Sequence, residues 1–147
     1  MNYFLLCCTA IIFIGSCSNR KGDSEETARQ EIAQAEKEFE KMAEDKGMAE
    51  AFSFFADSNA VIKRQNDTLI KGKEGIRNYY SAAYFEKATV SWSPDFIEAS
   101  PDGMFGYTYG NYIWRSKDST GNITASKGIF HTVWKKQKDG SWKYTWD

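Results

Sequence analysis

Few side chains in this 147-residue sequence could do chemistry by type and spacing alone. His131 is its one histidine, so a multi-histidine metal site cannot be assembled, and no local spacing of Asp, Glu and His marks a facial triad. As a general base, His131 would need a place in a pocket and a carboxylate to orient it. The plain alternative is a strand histidine whose hydrogen bonds are met. Asp57, Asp67 and Asp95 stand near turn signals, where capping and turn roles account for them. Gly72-Lys73-Glu74-Gly75 reads as a helix start, too short to cradle phosphates. Cys7, Cys8 and Cys17 all fall in the first seventeen residues, which leaves no thiol nucleophile beyond them. Neither a metal nor a cofactor is expected.

What the sequence has in excess is rings: 5 Trp, 8 Tyr and 10 Phe make up 16% of it, and twelve of these lie between Trp92 and Trp146. Residues two apart on a strand share a face. Thr108, Gly110, Tyr112 and Trp114 therefore share one side of a strand, with Tyr107, Tyr109, Asn111 and Ile113 on the other. In the next strand Gly128, Phe130, Thr132 and Trp134 oppose Ile129, His131 and Val133. Both faces are rich in apolar residues, so alternation alone does not choose between them. We take the glycine-containing set as concave, because Gly110 and Gly128 would let a bent sheet approach the helices. Phe55 and Tyr80 would then face it from the helical layer. The plain alternative is a stripe of core. Buried Trp and Tyr bring polar ends that need partners, which favours a partly open or wet cavity. Such rings suit a flat, apolar or sugar-like ligand. The candidate ligand-binding residues are thus Phe55, Tyr80, Tyr112, Trp114, Phe130 and Trp134.

The elements that position these residues follow from periodicity. Ala28, Ile32, Ala35, Phe39 and Met42 recur at spacings of 4, 3, 4 and 3, an amphipathic helix from Thr27 with one buried stripe. Gly47 stops it, and residues 48–56 read as a short second helix. Ala60 to Lys63 and Thr68 to Ile70 flank Gln65-Asn66-Asp67 as a small hairpin. A third helix carries Ile76, Tyr79, Tyr80 and Ala83 and ends near Phe85. Beyond Lys87 the period falls to two. Four strands are predicted, over residues 89–99 (bent at Pro94), 104–117, 122–138 and 141–147, joined by short turns into an antiparallel meander. Helices first and a sheet afterwards is the α+β arrangement.

The 19 Lys and Arg against 20 Asp and Glu leave a net charge of −1, which excludes a dedicated nucleic-acid binder. Tyr3 to Ile14 is an uncharged run too short to cross a bilayer as a helix and reads as the apolar part of a secretory signal. Ile14-Gly15-Ser16-Cys17 after it resembles the bacterial lipobox, in which the cysteine is acylated and becomes the new N-terminus. That resemblance implies a signal peptide over residues 1–16, lipidation at Cys17 and an exported lipoprotein of the cell envelope, held to the membrane by its lipid. Ser18 after the cysteine fits an outer-membrane destination. Residues 17–26, polar and without apolar side chains from Ser18 on, are expected to form a flexible tether.

Gly72 to Tyr80 (GKEGIRNYY), Tyr107 to Tyr112 (YTYGNY) and Gly128 to Asp147 (GIFHTVWKKQKDGSWKYTWD), with the order of elements around them, resemble the nuclear transport factor two-like superfamily, in its SnoaL-like and "domain of unknown function 4440" branches. The resemblance implies that residues 27–147 form a cone-shaped α+β domain, its N-terminal helices packed on a strongly curved antiparallel sheet around a pocket. It implies a reaction far less well, because members include isomerases, cyclases, dehydratases and structural subunits. It also places Asp147 where several relatives carry a pocket aspartate. Here Asp147 bears the terminal carboxylate as well, and two adjacent anionic groups favour solvation over a tuned base.

Three functions are therefore weighed. The leading one is a lipid-anchored, non-catalytic pocket domain that binds a small apolar or amphipathic ligand or serves as an accessory. The second is an enzyme resembling ketosteroid isomerase or the SnoaL-type cyclases, with His131 or Asp147 as base and Tyr or Trp donors to a developing oxyanion. The third is an interaction module that forms a homodimer, since the exposed face of the sheet in this superfamily often pairs.

Overall fold

The computed structural model describes residues 20–147, so the leader, the lipobox and Cys17 lie outside the described residues. Its first element, helix α1 (Arg20–Lys46), begins earlier than the apolar stripe predicts, and the segment expected as a tether is helical from Arg20. The first turns are polar, but they are held. Arg29 pairs with Glu25, Gln30 donates to Glu26, and Ser24 Oγ donates to the Pro101 carbonyl at 2.8 Å, which docks the helix start on the sheet. Ala28, Ile32, Ala35 and Phe39 are buried as predicted. Gly47, at φ 85°, ends α1 and starts α2 (Met48–Phe55).

There follow β1 (Ala56–Arg64), β2 (Thr68–Lys71), α3 (Gly72–Tyr80), α4 (Ala83–Glu86), β3 (Ala88–Ala99), β4 (Phe105–Lys117), β5 (Ile123–Lys136) and β6 (Trp142–Trp146). The expected third helix breaks at Ser81-Ala82. Ser81 closes α3 onto Arg77, and Ala82 is extended (φ −64°, ψ 140°). The six strands form one sheet in the order β2-β1-β6-β5-β4-β3. It is mixed rather than wholly antiparallel, because β1 and β6 run parallel. A parallel neighbour requires a long crossover, and α3, α4 and the meander supply one. Asp147 beyond β6 is tied to β1 on both sides, donating to Val61 O and accepting from Lys63 N–H.

β3 and β4 shift register between Pro94 and Phe96. The shift leaves Asp95 without a ladder partner, and Gly110 lies so close opposite that a Cβ there would stand 2.8 Å from the Pro94 and Asp95 backbone. Strand bending is thus built in where Pro94 removes a ladder donor. The face carrying Gly106, Thr108, Gly110, Phe130, Thr132 and Trp134 turns toward α1. The glycine-containing set is therefore the concave one.

Candidate functional site

Between the helices and the concave face lies a cavity of about 750 Å³. Phe39 of α1, Phe52 of α2, Tyr80 of α3 and Thr132 of β5, all buried, form its floor. Trp92 and Tyr112, cross-strand partners, form one wall with Trp114 and Phe130. Tyr79, Tyr84 and Phe85 close the side toward α4, where the Tyr84 ring lies parallel to that of Trp114 at 6.2 Å. A Cβ on Gly128 would stand 2.6 Å or less from the Tyr112 ring and hydroxyl, so that glycine lets Tyr112 lie flat across β5.

Of the candidates, Tyr80, Tyr112, Trp114 and Phe130 line this cavity. Phe55 and Trp134 do not. Phe55 stacks on Phe39 at 5.0 Å within the core, and Trp134, fully buried, spends its indole N–H on a carboxylate of α1. Both point to the concave side, but farther along it than the cavity reaches. His131 borders the cavity at its rim. Its strand position pairs it with Tyr109 on the convex side, and its ring lies 5.8 Å from that of Tyr107.

The floor is polar at one point. Arg64, the last residue of β1, precedes a turn in which Asn66 and Asp67 adopt left-handed backbone (φ 57° and 55°), a geometry these residue types tolerate. Arg64 Nη2 donates to Asp147 Oδ1 at 2.5 Å and to Tyr80 Oη at 2.6 Å, and Nε donates to Tyr80 Oη at 2.8 Å. Nη1 donates to the main-chain oxygens of Lys63 and Asp147. Thr132 Oγ1 donates to Asp147 Oδ2 at 3.2 Å. Asp147 is thus a cavity-floor carboxylate held in an ion pair, rather than the solvated terminus expected of it. Burial acts to lower the Arg64 pKa, but Asp147 and Tyr80 outweigh it and hold the guanidinium charged. Burial pushes the Tyr80 hydroxyl above the ordinary phenol range, so it stays protonated.

A second carboxylate lies behind the Trp92 wall. Glu36 of α1, 2% exposed, accepts from Thr108 Oγ1 (2.6 Å) and Trp134 Nε1 (2.9 Å) on Oε1, and from Trp92 Nε1 (2.8 Å) on Oε2. Burial raises its pKa against these three donors, and the negative charge of Asp147 adds to the rise. One turn on, Glu40 Oε1 accepts the backbone N–H of Trp92. Neither Glu36 nor Arg64 stands out in the sequence. The available signal for Glu36 is its place four residues after Ile32, on the buried stripe. Arg64 carries none, because its partner Asp147 is at the other end of the domain.

Among the described residues no three His, Cys, Asp or Glu come together as a metal site. No family model matches the chain, and no curated protein matches it. Solved structures do. A nuclear transport factor 2-like superfamily protein from Salmonella enterica superposes with a TM-score of 0.68 at 15% identity, over 82% of this chain and 88% of that one. The association domain of C. elegans CaMKII gives 0.65 at 17% identity over 84% and 95%. A ketosteroid isomerase-like protein from Erwinia carotovora atroseptica gives 0.62 at 15% identity over 87% and 93%. The chain therefore has the nuclear transport factor 2-like fold that its sequence resembles. Likeness at these identities is one of architecture.

Proposed function

We propose that this domain binds a small apolar or amphipathic molecule in the ring-walled cavity without transforming it, as a lipoprotein anchored to the cell envelope through Cys17. The observation that carries the binding reading is the cavity itself. About 750 Å³ is of ligand size, and ring walls with one polar point on the floor are the usual make-up of a small-molecule site. The non-catalytic part is supported by the state of the two candidate bases: Asp147 is committed to Arg64 and Thr132, and the His131 ring lies against Tyr107 on the other face.

The test is saturable binding of 2-ethylnaphthalene, followed by quenching of tryptophan fluorescence. One site per chain is expected, weakened at least about tenfold by Ser126→Trp, which fills the exposed rim without touching the core. Absence of saturable binding to the unsubstituted protein overturns the reading. Anchoring is checked separately: Cys17→Ser should shift the protein from the detergent phase to the aqueous phase.

A second reading, self-association through the convex face, has its own support. Phe96 and Tyr109 stack there at 5.1 Å, and Ile129 is 77% exposed. Asp95 and Glu98 lie on β3 to one side of this strip, with Lys127 and Lys135 on β5 to the other. That pattern is self-complementary about a two-fold axis, and one structure sharing the fold is an association domain. Sedimentation should show a dimer that Ile129→Glu dissociates. A monomer at high micromolar concentration rejects this reading.

A further inference from the structure

The cavity opens beside a length of backbone that only one strand flanks. β4 pairs with β5 along its whole length, but β6 pairs only with residues 133–136. Among the described residues, 123–132 therefore form an open sheet edge. The Lys136 N–H donates to Met104 O on the β4 side at 2.8 Å, and the register between β4 and β5 is unbroken. Strand alternation then sends the even-numbered N–H and C=O groups of β5 toward β4 and the odd-numbered ones away from it. The Lys117 N–H, which donates to Lys87 O on the β3 side, fits the same phase. Ala125, Lys127, Ile129 and His131, all exposed, thus present main-chain donors and acceptors along the open edge.

The even-numbered side chains of the same stretch face the cavity. Ser126, Phe130 and Thr132 line it, and Gly128 among them adds no bulk. A strand laid along this edge would alternate likewise. Its residues opposite Gly128 and Phe130 would point into the ring-walled cavity, and those opposite Lys127 and Ile129 would point to the convex side. The convex side is basic here. Arg115 and Lys117 of β4 and Lys127 of β5 are exposed on it, none in an ion pair among the described residues, and neither strand carries an Asp or Glu. Two β5 edges paired about a two-fold axis near their middle would bring the two Lys127 ammoniums together, so a second copy suits this edge poorly.

From this we infer that the open edge of β5 takes an extended acidic segment of another protein as an added strand, its aromatic side chains entering the cavity and its carboxylates meeting Lys127 and Arg115. Main-chain pairing supplies affinity in this mode, and the cavity supplies the side-chain preference. The inference rests on the reading of the cavity as a ligand site, and it adds a peptide as occupant and the β5 backbone as what reads it.

The probe is the peptide acetyl-TFTFETE-amide, titrated into the full-length protein at pH 7 and followed by calorimetry. Laid antiparallel to β5, its first, third, fifth and seventh residues would bond to His131, Ile129, Lys127 and Ala125, and its two phenylalanines would lie opposite Phe130 and Gly128. Methylating the main-chain nitrogen of its third or fifth residue should weaken binding at least about tenfold, and methylating that of its second or fourth by less than about threefold. Ile129→Pro, which removes an N–H from the open edge and keeps the bonds to β4, should weaken it about tenfold. Should that variant fail to fold, the methylated peptides test the same bonds on the unsubstituted protein. Lys127→Glu should reverse the preference between this peptide and acetyl-TFTFKTK-amide. 2-Ethylnaphthalene should displace the peptide. Equal losses from the two methylation sets, a peptide that 2-ethylnaphthalene does not displace, or no peptide binding where 2-ethylnaphthalene binds overturns the inference while leaving the ligand site standing. An affinity that falls as protein concentration rises would place a second copy on the edge and likewise overturn it. If neither the peptide nor 2-ethylnaphthalene binds, the ligand-site reading falls and takes this inference with it.

Discussion

Glu36 and Asp147 both turn into the space between the helices and the sheet, and they are satisfied in opposite ways. Glu36 meets three neutral donors and no cation, whereas Asp147 meets a guanidinium and one hydroxyl. Neutral donors satisfy hydrogen bonding but do not return the solvation a buried charge loses, so the Glu36 pKa is raised. The two sites also differ in what they hold. Glu36 fixes the indoles of Trp92 and Trp134 and the Thr108 hydroxyl, joining α1 to β3, β4 and β5. The Asp147 pair fixes the Tyr80 hydroxyl on the cavity floor. One carboxylate is a joint of the fold, and the other orients a group that a ligand would meet.

The largest effect that bears on this contrast is expected from Glu36→Ala. It leaves two indole N–H groups and a hydroxyl without an acceptor in the core, and should cost about 4 kcal/mol of unfolding free energy in urea titration. Arg64→Met should come next, at about 3 kcal/mol, since it strands a largely buried carboxylate whose side chain is 13% exposed. If Glu36→Ala is nearly silent, Glu36 is not the joint described.

The layout of the fold was legible in the sequence to the extent that one element's own periodicity decides it. The stripe from Ala28 to Phe39 is buried, and the faces of β4 and β5 fall as the glycines suggest. Depth along a face was not legible. Phe130 and Trp134 alternate on the same side of β5, yet one lines the cavity and the other lies under α1, a difference set by where the helix crosses. Pairings between distant segments were equally hidden. Arg64 and Asp147 are neighbours because a parallel β1–β6 contact brings the strand ends together, and no local pattern encodes that. Glu36 falls on the buried stripe of α1, but what it meets there is not legible locally because its donors come from three strands.

An amide replacement sharpens the contrast further. Oε1 of Glu36 faces Trp134 Nε1–H as well as the Thr108 hydroxyl, and Oε2 faces Trp92 Nε1–H. In Glu36→Gln the NH₂ must therefore oppose an indole N–H in either orientation, and an indole cannot accept. A loss of about 2 kcal/mol is expected even though shape is kept and a buried charge is removed.

Titration provides a smaller effect with a definite sign. Because the Glu36 pKa is raised in the folded protein, the native state binds more protons than the unfolded chain between about 4.5 and the folded value. Stability should therefore rise as pH falls through that window, with a slope of at most about 1.4 kcal/mol per unit. Glu31 and Asp57 act oppositely. Their pKa values are lowered, Glu31 by Lys136 and Trp142 against burial, Asp57 chiefly by the Asn59 backbone N–H, so the stability they add is lost as pH falls through their own range below the unfolded values. A stability maximum in mild acid is expected, measured as urea midpoint against pH, and Glu36→Gln should flatten its alkaline side. A midpoint that falls steadily from pH 7 downward would show that Glu36 does not dominate this range.

Asp147→Asn should do least, under about 1 kcal/mol. The amide oxygen can keep the bond from Arg64, and Thr132, being a hydroxyl, can turn to accept from the amide nitrogen, a reversal closed to the indoles around Glu36. What is lost is the negative charge opposite Arg64, but the guanidinium keeps its acceptors, the Asp147 main-chain oxygen for Nη1 and Tyr80 Oη for Nε and Nη2. If Asp147→Asn proves as costly as Glu36→Gln, the difference between a neutral and a charged setting for the two carboxylates is not what governs them.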